Sequence, residues 1–264
     1  MSLTGKWINS YGSVMDLQQD TAGSGLIFGE YSSSTGSTGR YYVYGWAPNN
    51  DPVPTLGQSV ALSIFWRSIE GGTGDPSWHF SSGLGGELSV SDAGVESLTL
   101  IHAMVAPVPF PGLCPAGTFL DKLVYTRDPS PKHAGHPGPT LQSTGKKVAA
   151  DPIVGRWSCI DNPTFQLLLD VVSEPYGVIR GELIVGANNA SAMGFTDTYA
   201  TGAGLLLQSV AVTASMGGGK SVALAGNIDL TTGLMHLMTL ENVGTPNDAT
   251  YVSTNTQSLT FRKL

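Results

Sequence analysis

Apolar and polar residues alternate with a period of two over much of the first half of the chain. Leu26, Phe28 and Glu30 share one face of their segment while Tyr31 and Ser33 share the other, and Trp7 and Asn9 lie together on one face near the N-terminus. That period belongs to strands. Eight short strands are predicted near residues 3–9, 13–18, 25–32, 39–46, 57–67, 77–84, 96–105 and 119–127. Turns containing glycine, such as Ser34-Thr35-Gly36 and Ile69-Glu70-Gly71-Gly72, separate them. Eight antiparallel strands suit an up-and-down barrel, which leaves no exposed sheet edge and encloses room for one small ligand. A β-sandwich is the competing all-β arrangement, and composition does not separate the two.

The pattern then repeats. Gly5-Lys6-Trp7 recurs as Gly155-Arg156-Trp157, Phe28-Gly29-Glu30 as Arg180-Gly181-Glu182, and Ser59-Val60-Ala61-Leu62 as Ser209-Val210-Ala211-Val212. The closing Leu123-Val124-Tyr125-Thr126-Arg127 recurs as Leu259-Thr260-Phe261-Arg262. Offsets of 150, 152 and 150 for the first three pairs mean that spacing inside each half is nearly fixed. Between the halves, Arg127 to Asp151 carries four prolines and no apolar periodicity, as a semi-extended linker does. The expected organisation is a barrel over 1–127, a linker over 128–151 and a second barrel over 152–264.

Composition and charge narrow the function. Gly 34 and Pro 16 punctuate strand-forming Thr, Ser, Val, Tyr and Trp, and a hydrophobic share of 41% is enough for packed cores. A net charge of -7 without any basic cluster argues against nucleic acid and membrane surfaces as partners. No apolar run approaches the roughly 20 residues of a membrane-spanning helix. The N-terminus enters strand-like sequence at once with no signal-peptide core, so the expected setting is cytoplasmic or a mature secreted form. Cys114 and Cys159 fall in different halves and read as two reduced thiols, too few for a disulfide framework or a zinc site. His133 and His136 stand in the linker without companion ligands, so no metal site is expected.

Several segments resemble the avidin/streptavidin family of biotin-binding barrels. Gly5-Lys6-Trp7-Ile8-Asn9 followed by Gly12-Ser13 is similar to that family's first strand and turn. Gly29-Glu30-Tyr31-Ser32-Ser33 resembles its third strand, Arg40-Tyr41-Tyr42-Val43-Tyr44-Gly45 its fourth, and Gln58 through Trp66 its fifth. The likeness covers residues 3–83 well and thins afterwards. It implies an all-β fold of two tandem eight-stranded antiparallel up-and-down β-barrels, the pairing of barrels through their flanks, and biotin as a ligand rather than a cofactor. Two barrels in one chain would satisfy that pairing internally, or a homodimer would assemble four.

By the same resemblance Asn9, Ser13 and Tyr31 would donate to the urea oxygen of biotin, much as an oxyanion hole does, and Ser33 would accept from a urea N–H. Trp66 would form an apolar wall, and Ser77 and His79 would sit near the sulfur and carboxylate tail. Each has a plainer reading as well. Buried Tyr and Ser can simply bond each other, Trp66 can be core, and Trp7 reads as a plug because both halves carry it. The family pattern also breaks in places. Ser81 stands where a tryptophan is expected, the region of Ile101 offers none, and the Pro-rich loop from Pro107 to Pro115 replaces the tryptophan lent across an interface. Leu123 aligns with the family's urea-binding carboxylate or amide, while Asp121 lies two residues earlier on the same face. Three lost walls at about 1.5–3 kcal/mol each imply much weaker binding than the family's.

In the second half Cys159, Pro163, Leu183, Val185 and Met216 stand for Asn9, Ser13, Tyr31, Ser33 and Trp66, so a urea site is not expected there. The function expected is therefore non-catalytic binding of biotin or a biotin-like ligand in the first barrel, at reduced affinity. The alternative is an interaction or defence protein of avidin-like fold that binds a glycan or protein. No catalytic residue is assigned, since only His79 with Asp121 could form a titratable pair.

Overall fold

The computed structural model describes residues 3–20, 22–34, 38–70, 77–110, 114–129, 151–246, 249 and 253–264. The first half forms eight strands, β1 (Gly5–Asn9), β2 (Val14–Gln19), β3 (Leu26–Ser33), β4 (Gly39–Trp46), β5 (Gln58–Phe65), β6 (Ser81–Val90), β7 (Glu96–Ala106) and β8 (Gly117–Asp128). The second half forms β9 (Gly155–Cys159), β10 (Phe165–Ser173), β11 (Val178–Val185), β12 (Asn188–Thr196), β13 (Leu207–Gly217), β14 (Lys220–Asp229), β15 (Leu234–Asn242) and β16 (Asn255–Lys263). Each set pairs with its sequence neighbours throughout, and first and last strands meet to close a barrel. Two up-and-down barrels stand in tandem, and the sandwich is excluded. Most of the expected linker, including His133 and His136, lies outside the described residues.

One prediction misplaced a strand. The sixth was expected at 77–84 but runs from Ser81 to Val90. Its sequence, SSGLGGELSV, is rich in glycine and lacks the alternation that marks β3. The glycines have a packing reason. A Cβ added at Gly83 would lie 2.9 Å from Ala225 Cβ, and one at Gly85 would lie 2.6 Å from Leu240 Cβ, so these two glycines let the second barrel approach β6 closely.

Each barrel is plugged at one end by the repeated tryptophan. The indole of Trp7 donates to Leu3 O at 2.9 Å and that of Trp157 donates to Ile153 O at 2.8 Å. The Arg127 guanidinium lies 4.3 Å from the Trp7 ring, and the Lys263 ammonium lies 5.6 Å from that of Trp157. The structural partner of Arg127 is thus Lys263, although Arg262 completes the repeated motif in sequence.

The barrels pack flank to flank. Ala61, Ala103 and Val105 meet Ala223, Ala225 and Leu240 in one patch, while Tyr44, Trp46 and Phe65 meet Val178, Met193 and Phe195 in another. Two serines at equivalent positions cross the seam: Ser59 Oγ donates to Gly219 O and Ser209 Oγ donates to His79 O, each at 2.7 Å. At one end of the seam the Asp197 carboxylate, fully buried, receives Arg67 Nη2 at 3.0 Å and His79 Nδ1 at 2.6 Å. Arg67 is further sandwiched between the rings of Phe65 and Tyr199. Cys114 and Cys159 are both free.

Candidate functional site

The polar group in the first barrel is built around the β1–β2 turn. Asn9 ends β1, and its Oδ1 accepts the backbone N–H groups of Tyr11 at 3.1 Å and Ser13 at 3.0 Å. Both acceptor positions of that oxygen are then used, so the amide presents its two N–H donors. The Ser13 hydroxyl oxygen accepts Ser34 N–H at 3.5 Å, leaving its own hydrogen to donate. Tyr31, on the inner face of β3, sets its hydroxyl against Ser13, Asn9 and Tyr125. Tyr125 enters from β8, in register with Asn9. Its hydroxyl faces Asn9 and Tyr31 but makes no hydrogen bond of good geometry and is buried. Burial pushes both phenols above their ordinary range, so both remain donors. Four donors thus converge in one buried place, the arrangement a planar carbonyl oxygen requires.

Above this group stands an aromatic wall. Trp66, immediately after β5, meets Tyr31 edge-on at 5.4 Å and Tyr41 at 5.0 Å between ring centres. Trp78 stacks on Tyr41 at 6.2 Å and touches Phe110 at 5.3 Å, and Phe80 lies 4.1 Å from Phe110. No tryptophan stands at Ser81 or Ile101, but other aromatic residues occupy this end of the barrel. They come from the long connections before β6 and after β7, where strand alignment did not look for them.

Trp66 is oriented by a short polar chain. Its indole N–H donates to Ser82 Oγ at 2.8 Å, and His102 Nε2 lies 2.8 Å from the same oxygen. An indole can only donate, so Ser82 accepts from it, and the serine hydrogen is available to His102 Nε2 in the neutral tautomer that leaves that nitrogen unprotonated. Burial lowers that imidazole to about 4, against the opposing pull of Asp121.

Asn9, Ser13, Tyr31, Ser33 and Trp66 are all buried within the first barrel, with exposures of 6%, 1%, 6%, 7% and 5%. By contrast Trp7 and Met15, deeper in the same core, are at 0%. Ser77, His79 and Asp121 are placed elsewhere. Trp66 N–H bonds Phe80 O at 3.0 Å, and from there Phe80, Ser82 and Leu84 point into the barrel while the odd-numbered positions face its partner. His79 therefore meets Asp197 at the seam, and Ser77 is exposed. A one-residue offset from the expected register puts His79 on the outer side. Asp121 shares the inner face of β8 with Leu123 and Tyr125 but is exposed beyond them, opposite His102.

Sequence reasoning missed Tyr125, Ser82, His102, Trp78, Phe80 and Phe110. Only Tyr125 carried a signal, because it lies in the repeated closing motif at the place of Phe261. In the second barrel Cys159 pairs with Phe261 as Asn9 pairs with Tyr125, and Leu183 lies on the inner face of β11. No polar cluster is rebuilt from these residues. Among the described residues, no group of three or more His, Cys, Asp or Glu could hold a metal ion.

Residues 1–79 match the avidin family. Among solved structures, the chain is similar to a biotin binding protein from chicken at 19% identity, over 48% of this chain and 96% of that one, with a TM-score of 0.36. Xenavidin is similar at 16% identity over the same shares, with a TM-score of 0.36. Comparison with curated proteins returns no match. The family match spans Asn9, Ser13, Tyr31, Ser33 and Trp66 and stops before β6, so it takes in the polar turn but neither Tyr125 nor Asp121. The chain is a tandem of two eight-stranded barrels, and its first 79 residues carry the signature of the avidin family.

Proposed function

We propose that the first barrel binds biotin or a biotin-like cyclic urea without chemical conversion, and more weakly than avidin-family barrels do. The observation that carries this reading is the convergence of Asn9, Ser13, Tyr31 and Tyr125, all buried and all set as donors. Pre-set donors avoid the ordering cost of binding. Reduced affinity follows from Leu123, an apolar residue at the position the resemblance assigns to a urea-binding carboxylate or amide. A urea N–H left without an acceptor there costs about 1–3 kcal/mol. Apolar contact with Trp66, Trp78 and Phe80 offsets part of that loss. Ser77, His79 and Asp121 take no direct part in holding the urea.

Calorimetry on the intact chain tests the proposal. Saturable heat with biotin, weakened by Tyr31→Phe and by Asn9→Ala, is expected. No heat and no thermal shift at millimolar biotin would reject it.

One observation favours a second reading, in which the fold serves to bind a glycan or protein. Trp78 and Phe110 pack on each other at the end of the barrel where a ligand would enter. A structure from a biotin soak separates the two: an unchanged aromatic cap over an empty interior supports the second reading. In either case the flank contact is already satisfied within one chain, and a homodimer of four barrels is the larger assembly proposed, measurable by sedimentation.

A further inference from the structure

The second barrel, where no urea site is expected from the sequence, has a cavity of about 480 Å³ at its mouth. Leu183, Val185, Ala190 and Met216 supply the wall, and Asn188, Asn189 and Lys220 stand at the rim. Three of the wall residues occupy the positions of Tyr31, Ser33 and Trp66, so the cavity lies at the same end of its barrel as the polar site of the first. The reason it stays open is local. The connection from β11 to β12 is only Gly186-Ala187, and that from β13 to β14 only Gly218-Gly219. In the first barrel the longer connection over 66–80 brings Trp66, Trp78 and Phe80 to this end, and the second has no counterpart.

We infer that this mouth is a second, separate binding site, for a small uncharged apolar ligand. The volume falls in the range of small-molecule sites. No side chain of the wall donates or accepts a hydrogen bond, so a urea or a carboxylate would be desolvated there without compensation. An apolar ligand loses nothing on entry and removes Leu183, Val185 and Met216 from water. The rim gives no anion trap, because Lys220 Nζ is already paired with Glu241 at 3.3 Å. Asn188 and Asn189, both exposed, supply hydrogen bonds to a single polar end group such as a hydroxyl or ketone.

The test uses N-phenyl-1-naphthylamine, a neutral apolar dye whose fluorescence rises in dry sites, titrated into the full chain. One saturable site is expected, undiminished by excess biotin and by Tyr31→Phe. Met216→Trp, which fills the cavity, and Val185→Glu, which charges its half-buried wall, should each weaken the dye at least tenfold. Both positions lie at the mouth, and retention of the β-rich circular dichroism spectrum verifies folding. Absence of saturable binding overturns the inference. So does binding that biotin displaces, or that neither second-barrel substitution weakens. Because the readout is independent of biotin, failure here and failure of the first-barrel proposal are distinguishable.

Discussion

The two barrels share a frame and differ at one end of it. Both close with the same strand order, and both place a tryptophan at one end whose indole bonds the backbone four residues earlier. At the opposite end the first barrel gathers Asn9, Ser13, Tyr31, Tyr125 and a wall of aromatic rings, while the second has an apolar cup between short turns. The difference teaches that closing such a barrel constrains one end far more than the other. The plug and the strand register hold the fold, and the mouth is free to change its chemistry.

That comparison breaks most severely at the seam. Replacing Asp197 by Ala would leave Arg67 and His79 buried without their shared carboxylate, and a loss of about 3–5 kcal/mol in unfolding free energy is expected by denaturant titration. A loss below about 1 kcal/mol would mean that the pairing of barrels does not depend on this group.

The mouth of the first barrel offers the next largest effect. Leu123→Asp places an acceptor on the inner face of β8, and biotin should bind more tightly by about 1.5–3 kcal/mol, roughly tenfold to a hundredfold. Unchanged affinity in calorimetry would show that Leu123 does not face the urea. The matching change in the second barrel, Leu259→Asp, should give no biotin binding, since no donors await the ligand there.

Protonation sharpens the comparison further, because the Trp66–Ser82–His102 chain belongs to the first barrel. His102 stays neutral in the fold down to about 4, whereas an unfolded chain protonates it from the ordinary imidazole value of 6.5 downward. The unfolded state then holds the extra proton, so stability present above that value is lost progressively as pH falls towards about 4. His102→Gln should flatten this part of the pH dependence of the denaturation midpoint. An identical slope in wild type and variant would contradict the assignment.

The smallest expected effect compares the plugs. Arg127→Ala should cost about 0.5–1 kcal/mol through lost contact with Trp7, beyond its ion pair with Glu96, and Lys263→Ala should cost less because its ammonium sits farther from Trp157. Equal melting shifts would show that ring contact is not what distinguishes the two ends.

Much of this was legible in the sequence. The repeat of Gly-x-Trp announced two copies, and alternation in β3 put Tyr31 and Ser33 on one face. Asn9 and Ser13 were readable because a turn ties them together locally. His79 was not, since its face depends on the register of β6, and the glycines that admit the second barrel erased the alternation that would have set it. Tyr125 was hidden for a different reason. The carboxylate of Asp121 lies two positions from Leu123 in one direction and the phenol two positions away in the other, and alternation alone gives both the same face. Trp78, Phe80 and Phe110 belong to connections, whose course no periodicity predicts.

The crossed serines have a consequence for how the seam can change. Between two identical chains, every substitution would appear on both sides of such a contact, and an acid on one side would meet its own copy's surroundings on the other. Joining the copies in one chain lifts that requirement. Ser59 and Ser209 still obey the twofold relation, but Arg67 and His79 correspond to Gly217 and Gly219, and Asp197 corresponds to Pro48. An unmatched acid with two unmatched bases is a contact that strict symmetry would have to duplicate. It gives the pair a handedness of its own: one barrel holds, and the other is held.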